Sequence, residues 1–230
     1  MILVFPAKVN YSVVVLFMSM LLLNEEHSEH ALNQAVAVLM GGGIIAYPTE
    51  TFYGIGAKFD NEDSLQKLHE IKQRPGNKPL PLIIGSRYLL AHIASSINNT
   101  AASLMDRFWP GPLTLILPAK ENLSPYITAG THSVAVRIPG DSFALRLAQY
   151  ALFPITATSA NPSGRPPAHD AETVVDYFGD NIDLIIDGGP TKGMLPSTII
   201  DARKGNLEIV REGSIKRDLL MHAHDHTEQK

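Results

Sequence analysis

"GGGIIAYPTETFYGIGAKF", residues 41–59, decides the fold. "IIAY" is apolar on every position and bounded by glycines, the pattern of a strand buried on both faces. Such a strand belongs to an α/β layer structure, with a sheet covered by helices. The run then breaks into "PTET", three short polar side chains after a proline, and resumes as "YGIG". A strand interrupted by hydroxyls and one carboxylate reads as the lip of a site rather than as packed interior.

Working outward, the same alternation continues on both sides. Leu32, Ala35, Val36 and Leu39 fall at helical spacing after Ser28, which can cap that helix, and Gly41 to Gly43 end it. Asp60 or Asn61 caps a second helix with Leu65, Leu68 and Ile71 inward. "PLPLIIG" is the next strand, and Ser86 starts another helix. "LTLIL" (113–117) and "VAVRIP" (134–139) are strands, and the short connection 118–133 makes antiparallel pairing the expectation. Asp141 opens a helix, "PITATSA" is a strand running into the "NPSG" turn, and Asp170 caps "AETVVDYF". "DLIID", "STIID" and "LEIV" complete the strands, and Ser214 opens a last short helix. The expected fold class is α/β, a twisted mixed parallel/antiparallel sheet with flanking helices.

The 230 residues carry 45% hydrophobic and 18% charged side chains, the balance of an ordinary globular chain with room for a substantial core. The net charge of −4 argues against a broad nucleic-acid-coating surface. The absence of cysteine removes disulfides, thiolate nucleophiles and Cys-based zinc sites, and suits a reducing, cytoplasmic compartment. Residues 1–27 form an apolar extension. Its run Val13–Leu23 is too short for the ~20 residues of a membrane helix and lacks a small-residue cleavage pattern. Translation starting at a downstream methionine such as Met18 or Met20 is the preferred explanation, with a buried extra strand as the second. Residues 28–217 read as one domain and 218–230 as a polar tail, whose "HAHDH" (222–226) is a poor, unsupported metal site.

Three segments could carry chemistry. "IKQRPGNKPLPL" places Lys72, Arg74 and Lys78 around the turn where Pro75 and Gly76 break a helix. Each cation alone suits a solvated helix C-terminus, but three together match a polyphosphate, which needs several donors and much positive charge. "TATSANPSGRPP" clusters Ser159, Asn161 and backbone amides at a strand end, which is either turn chemistry or an oxyanion cradle. "SVAVRIP" sets Arg137 inside an apolar strand, where it needs either an anionic ligand or a distant acid. No G-x-x-x-x-G-K-[ST], dinucleotide fingerprint or G-x-S-x-G occurs.

Together, "YPTETFYGIG", "IKQRPGNKPL", "WPGPLTLIL", "VAVRIP", "TSANPSG" and "STIID" resemble the YrdC/Sua5 family of threonylcarbamoyl-AMP synthases, in the family's order from about residue 31 to about 215. The K-x-R triplet (Lys72–Arg74) and the S-x-N triplet (Ser159–Asn161) are its most specific elements. The resemblance implies a concave basic cavity and a nucleotidyltransferase that makes L-threonylcarbamoyladenylate and pyrophosphate from L-threonine, bicarbonate and ATP with Mg²⁺. A downstream threonylcarbamoyl transferase complex would use the adenylate for t⁶A at position 37 of tRNA. It implies Thr51, Arg137 and Ser197 as L-threonine contacts. Arg74, Lys78, Ser133, Ser159, Asn161 and Arg211 would be ATP contacts, with Lys72 and Arg74 the catalytic cations. The chain resembles the single-domain type, without the linker and second domain of longer members. An RNA-binding module, or a carbamoyl- or adenylate-transferring paralogue with another acceptor, are the alternatives, and no membrane association is expected.

Overall fold

The structure, a computed structural model, describes residues 19–23, 28–193, 195–204 and 207–220. A start within residues 1–18 and the 222–226 histidine run therefore lie outside the described residues. Two mixed sheets replace the single one expected from the sequence.

The first sheet runs β1 (Ser19–Leu22), β9 (Leu184–Asp187), β2 (Ile45–Pro48), β3 (Tyr53–Gly56) and β8 (Thr158–Ser159). β1, β9 and β2 are parallel, and β3 is antiparallel to both β2 and β8. The second runs β11 (Glu208–Arg211), β10 (Thr198–Asp201), β5 (Leu113–Pro118), β6 (Ser133–Arg137), β4 (Leu82–Ile83) and β7 (Ile155–Thr156). β5 and β6 are antiparallel, as their short connection requires. β1 is the strand contemplated for the apolar extension, but it is an edge strand with Met20 and Leu22 exposed rather than a buried one.

Strand alternation divides the core in two. In β2, Ala46 faces one cluster with Tyr53, Ile55 and the helices α2 (Glu62–Ile71), α4 (Asn99–Phe108) and α7 (Ala171–Phe178). Ile45 and Tyr47 face a second cluster with α1 (Ser28–Met40) and α6 (Phe143–Ala151). Burial on both faces is why "IIAY" shows no polar alternation. Asn61 caps α2 and Asp170 caps α7, each by accepting a backbone N–H three residues on. Ser142 rather than Asp141 caps α6, because its hydroxyl accepts from Leu145 N while Asp141 is exposed. Ser86 caps only a 3₁₀ turn leading into α3 (Leu90–Ile93), and the one-turn α5 (Pro125–Thr128) lies between β5 and β6. The final helical residues are 217–220.

"PITATSA" is not one strand. Ile155 and Thr156 pair with β4 in the second sheet, and Thr158 and Ser159 pair with β3 in the first. Ala157 N donates to Pro81 O between them, so this segment ties the two sheets together. The C-terminal ends of β2, β8 and β9 consequently emerge at one end of the first sheet. The ends of β6 and β11 emerge, with the start of β10, at one end of the second.

Candidate active site

The outer side of strand ends is where open α/β sheets present ligand groups, and most of the sequence-predicted residues lie there. After β2, the lip 49–52 is held by its own hydroxyls. Thr49 Oγ1 donates to Phe52 O at 2.7 Å and accepts from Thr51 N at 3.0 Å. The Thr49 and Thr51 hydroxyls are 3.0 Å apart. The Tyr53 hydroxyl donates to Gly189 O and accepts from Gly188 N, fixing the loop after β9 beside the lip. Burial raises the Tyr53 hydroxyl to about 12, so it stays protonated in these bonds.

One group of polar side chains gathers where α2 ends. Lys72 is 2% exposed, and its ammonium donates to Ser159 O at 2.5 Å and Asn161 O at 2.6 Å. The chain closes the loop by Ser163 N donating to Lys72 O at 2.8 Å. Burial first, and the adjacent Arg74 charge second, pull the Lys72 ammonium down to about 7. Arg74 donates to Thr158 Oγ1, Lys78 O and Pro79 O, and desolvation lowers its guanidinium as well. The K-x-R triplet is therefore docked on the S-x-N triplet, with Arg74 half-buried beside it. Lys72 is sealed rather than open to a cavity, so the sequence-based view of it as a cation facing substrate is corrected: it pins the strand end. Asn161 Nδ2 donates to Pro162 O and Arg165 O, leaving Oδ1 buried without a partner.

A second group spans the two sheets. Arg137 at the end of β6 pairs with Glu50 of the lip, 87 residues away, with side chains 10% and 17% exposed. The distant acid that sequence left as one option for Arg137 is thus present. Glu50 itself was not among the predicted site residues, since nothing local marks a glutamate as the partner of a remote arginine. On the other side, Arg211 Nη2 donates to Ser197 O at 2.8 Å, and the Ser197 and Thr114 hydroxyls are 2.9 Å apart. Desolvation and the Arg137 charge both lower Arg211, so the two guanidinium groups share one electrostatic environment. Two cations this near each other make the local potential positive, which favours an anion nearby.

The link between the groups is short in the fold. Gly54 pairs with Ser159 and Ala160 N donates to Tyr53 O, so the S-x-N turn sits at the base of the lip that carries Glu50 and Thr51. Two predicted residues stand apart. Lys78 is exposed; its backbone N–H donates to Pro75 O and its carbonyl accepts from Arg74. Ser133 begins β6, at the opposite end from Arg137, and its hydroxyl lies 2.8 Å from that of Thr131. Ser133, Ala135 and Arg137 nevertheless share the strand face opposite Val134 and Val136, which enter the core. A cavity of about 350 Å³ opens beside the lip, lined among others by Thr49, Glu50, Asp141, Phe143, Thr191 and Lys192.

The sequence profile of the Sua5/YciO/YrdC family, described as "Telomere recombination", matches residues 37–213, from within α1 past β11. The chain belongs to the Sua5/YciO/YrdC family. It is 41% identical over 186 residues to a threonylcarbamoyl-AMP synthase of Bacillus subtilis, covering 80% of this chain and 54% of that protein. The family's solved members share the fold. Pyrococcus abyssi Sua5 complexed with L-threonine superposes with a TM-score of 0.83 at 36% identity, over 90% of this chain and 60% of that one. Escherichia coli YciO gives a TM-score of 0.77 at 26% identity, over 88% of this chain and 98% of that one. The chain spans about half the length of the curated relatives it matches.

Proposed function

We propose that this Sua5/YciO/YrdC chain is an enzyme, an L-threonylcarbamoyladenylate synthase that joins L-threonine, bicarbonate and ATP and releases pyrophosphate. The observation that carries the reading is the convergence at the sheet ends. The Lys72–Arg74 turn is docked on Ser159–Asn161, and the lip next to it is tied to Arg137, with Arg211 and Ser197 beyond. The names of the curated relatives and the threonine complex of P. abyssi Sua5 support the same reaction.

In this reading Arg137, Thr51 and Ser197 hold threonine, and Arg74, Lys78, Ser133, Ser159, Asn161 and Arg211 hold ATP. Ser133 lies four residues along β6 from Arg137, roughly 13 Å, and on the same face, so the strand can underlie a nucleotide stretched beside the amino acid. Threonine nitrogen and bicarbonate give a carbamate with loss of water. A carbamate oxygen then attacks the α-phosphorus, and the bond to the bridging oxygen of pyrophosphate breaks. Charge gathers on the departing phosphates, where Arg74 and Arg211 offer donors that need not reorganise. Lys72 acts by fixing the Ser159–Asn161 backbone that lines this position. Because the carbamate is short-lived in water, holding the reactants together is worth more than a protein nucleophile.

Among the described residues no group of three or more His, Asp or Glu is placed to hold a metal ion. Magnesium enters this reading as part of the MgATP substrate, carried on the phosphate oxygens and water. Among the same residues, no helix is long and apolar enough to cross a membrane. The adenylate would pass in the cytoplasm to the threonylcarbamoyl transferase complex that modifies tRNA. The test is pyrophosphate release by the purified chain. It should require threonine and bicarbonate together, and release unaffected by omitting either would contradict the reading.

A further inference from the structure

Glu50 is paired, yet incompletely. One of its oxygens meets Arg137, and the other, Oε2, is buried without a hydrogen-bond partner. Arg137 is equally half-used. Among the described residues its guanidinium hydrogen-bonds only to Glu50, and a guanidinium has five N–H donors. The ion pair thus presents a free acceptor on its acidic member and free donors on its basic one. A buried carboxylate oxygen without a partner is costly, and such atoms are rare in folded proteins.

The backbone around Glu50 explains how that atom is enclosed. Gly140 follows β6 closely enough that an added Cβ would stand 3.3 Å from Glu50 Cγ. Gly193 approaches the lip so tightly that a Cβ there would stand 2.7 Å from Glu50 O and 2.3 Å from Thr51 Cα. Both approaches are made by residues without a side chain, and the cavity beside the lip has Glu50 in its wall. A small ligand entering there meets Glu50 at the wall, with Arg137 paired directly behind it.

An α-amino acid carries its ammonium and carboxylate on one carbon, so its two charges lie as close to each other as the two members of this pair. We propose that Glu50 receives the α-ammonium of the amino-acid substrate on Oε2 while Arg137 takes the carboxylate with its remaining donors, making the pair a zwitterion filter. This rests on the reading of the chain as a threonine-using enzyme and adds to it a residue that sets specificity. A ligand with the carboxylate but no ammonium fills the Arg137 half and leaves Glu50 Oε2 unpaired, so the site rejects it.

The experiment is calorimetric titration of the full chain with L-threonine and with 3-hydroxybutyrate, which keeps the hydroxyl and carboxylate and lacks the amine. The wild-type protein should bind threonine about 100-fold more tightly or better. Glu50→Gln, which keeps an oxygen for Arg137 and removes the charge, should shrink that ratio at least roughly tenfold by weakening threonine alone. In turnover it should raise the threonine KM with the ATP KM unchanged. A ratio in Glu50→Gln within about twofold of wild type overturns the filter. So does equal binding of the two ligands by wild type, a result that does not depend on the variant folding. Absence of any threonine binding by wild type would instead overturn the underlying enzyme reading and the filter with it.

Discussion

The ammonium of Lys72 donates to the backbone carbonyl of Asn161 at 2.6 Å, joining the end of α2 to the turn after β8 across 89 residues. With Ser159 O as its other acceptor, Lys72 holds the two ends of the S-x-N triplet at once. The lysine is thereby a structural pin for the place where phosphate oxygens are proposed to bind. Removing it should affect stability as well as chemistry.

Replacing Lys72 by methionine keeps most of the side-chain volume, takes the ammonium from Asn161 O and leaves Ser159 O only the Asn161 N–H. The expected loss is about 2 kcal/mol, the scale of one buried acceptor left unpaired and a second weakened. Urea denaturation followed by circular dichroism checks it, and pyrophosphate release should fall in the variant even where it is fully folded.

Protonation of Lys72 sets a pH dependence with a definite sign. The folded value is about 7 against an ordinary 10.5, so between those limits the unfolded chain binds the extra proton. Stability conferred through this group is therefore fully present above 10.5, declines as pH falls through that window, and is lost below 7. Relative to Lys72→Met, the wild-type protein should gain stability on moving from pH 7 to pH 9. A difference that stays flat across that range would contradict the assignment.

Breaking the Glu50–Arg137 pair from the basic side leaves a nearly buried carboxylate without a counter-charge. Arg137→Ala should cost about 3 kcal/mol, and adding Glu50→Gln should recover part of that because the orphaned charge is gone. Thermal melts of the two single variants and the double variant measure the coupling. Activity at sub-saturating threonine should remain low in all three.

Gly193 offers a test that alters no polar side chain. Alanine there would place its Cβ 2.3 Å from Thr51 Cα, forcing the loop after β9 away from the lip. The expected result is a threonine KM raised roughly tenfold with the ATP KM within about twofold of wild type, since small displacements of positioning groups are enough to slow a reaction. Steady-state kinetics with each substrate varied in turn decides it.

Much of this was legible in the sequence. The buried "IIAY" strand, the Asn61 and Asp170 caps, and the clustering of polar residues at strand ends all follow from local pattern and capping chemistry. α4 was not expected, because "NNTAASLMDRF" offers only Ala101, Leu104 and Met105 to the core and its first turn reads as a loop. The split of "PITATSA" between two sheets was hidden because each half pairs through only two residues, too few to leave a period. Lys72 read as one of three cations for a polyphosphate, and its burial depends on Ser159 and Asn161, whose carbonyls no sequence pattern advertises. Glu50 and Arg137 find each other only through the meeting of two sheets.

The most direct test of the central claim is mass spectrometry of the product made by the purified chain from ATP, L-threonine and ¹³C-bicarbonate. Threonylcarbamoyl-AMP carrying the labelled carbon is the expected result, absent when either threonine or bicarbonate is withheld. A folded protein that binds ATP and threonine yet yields no labelled adenylate would contradict the account.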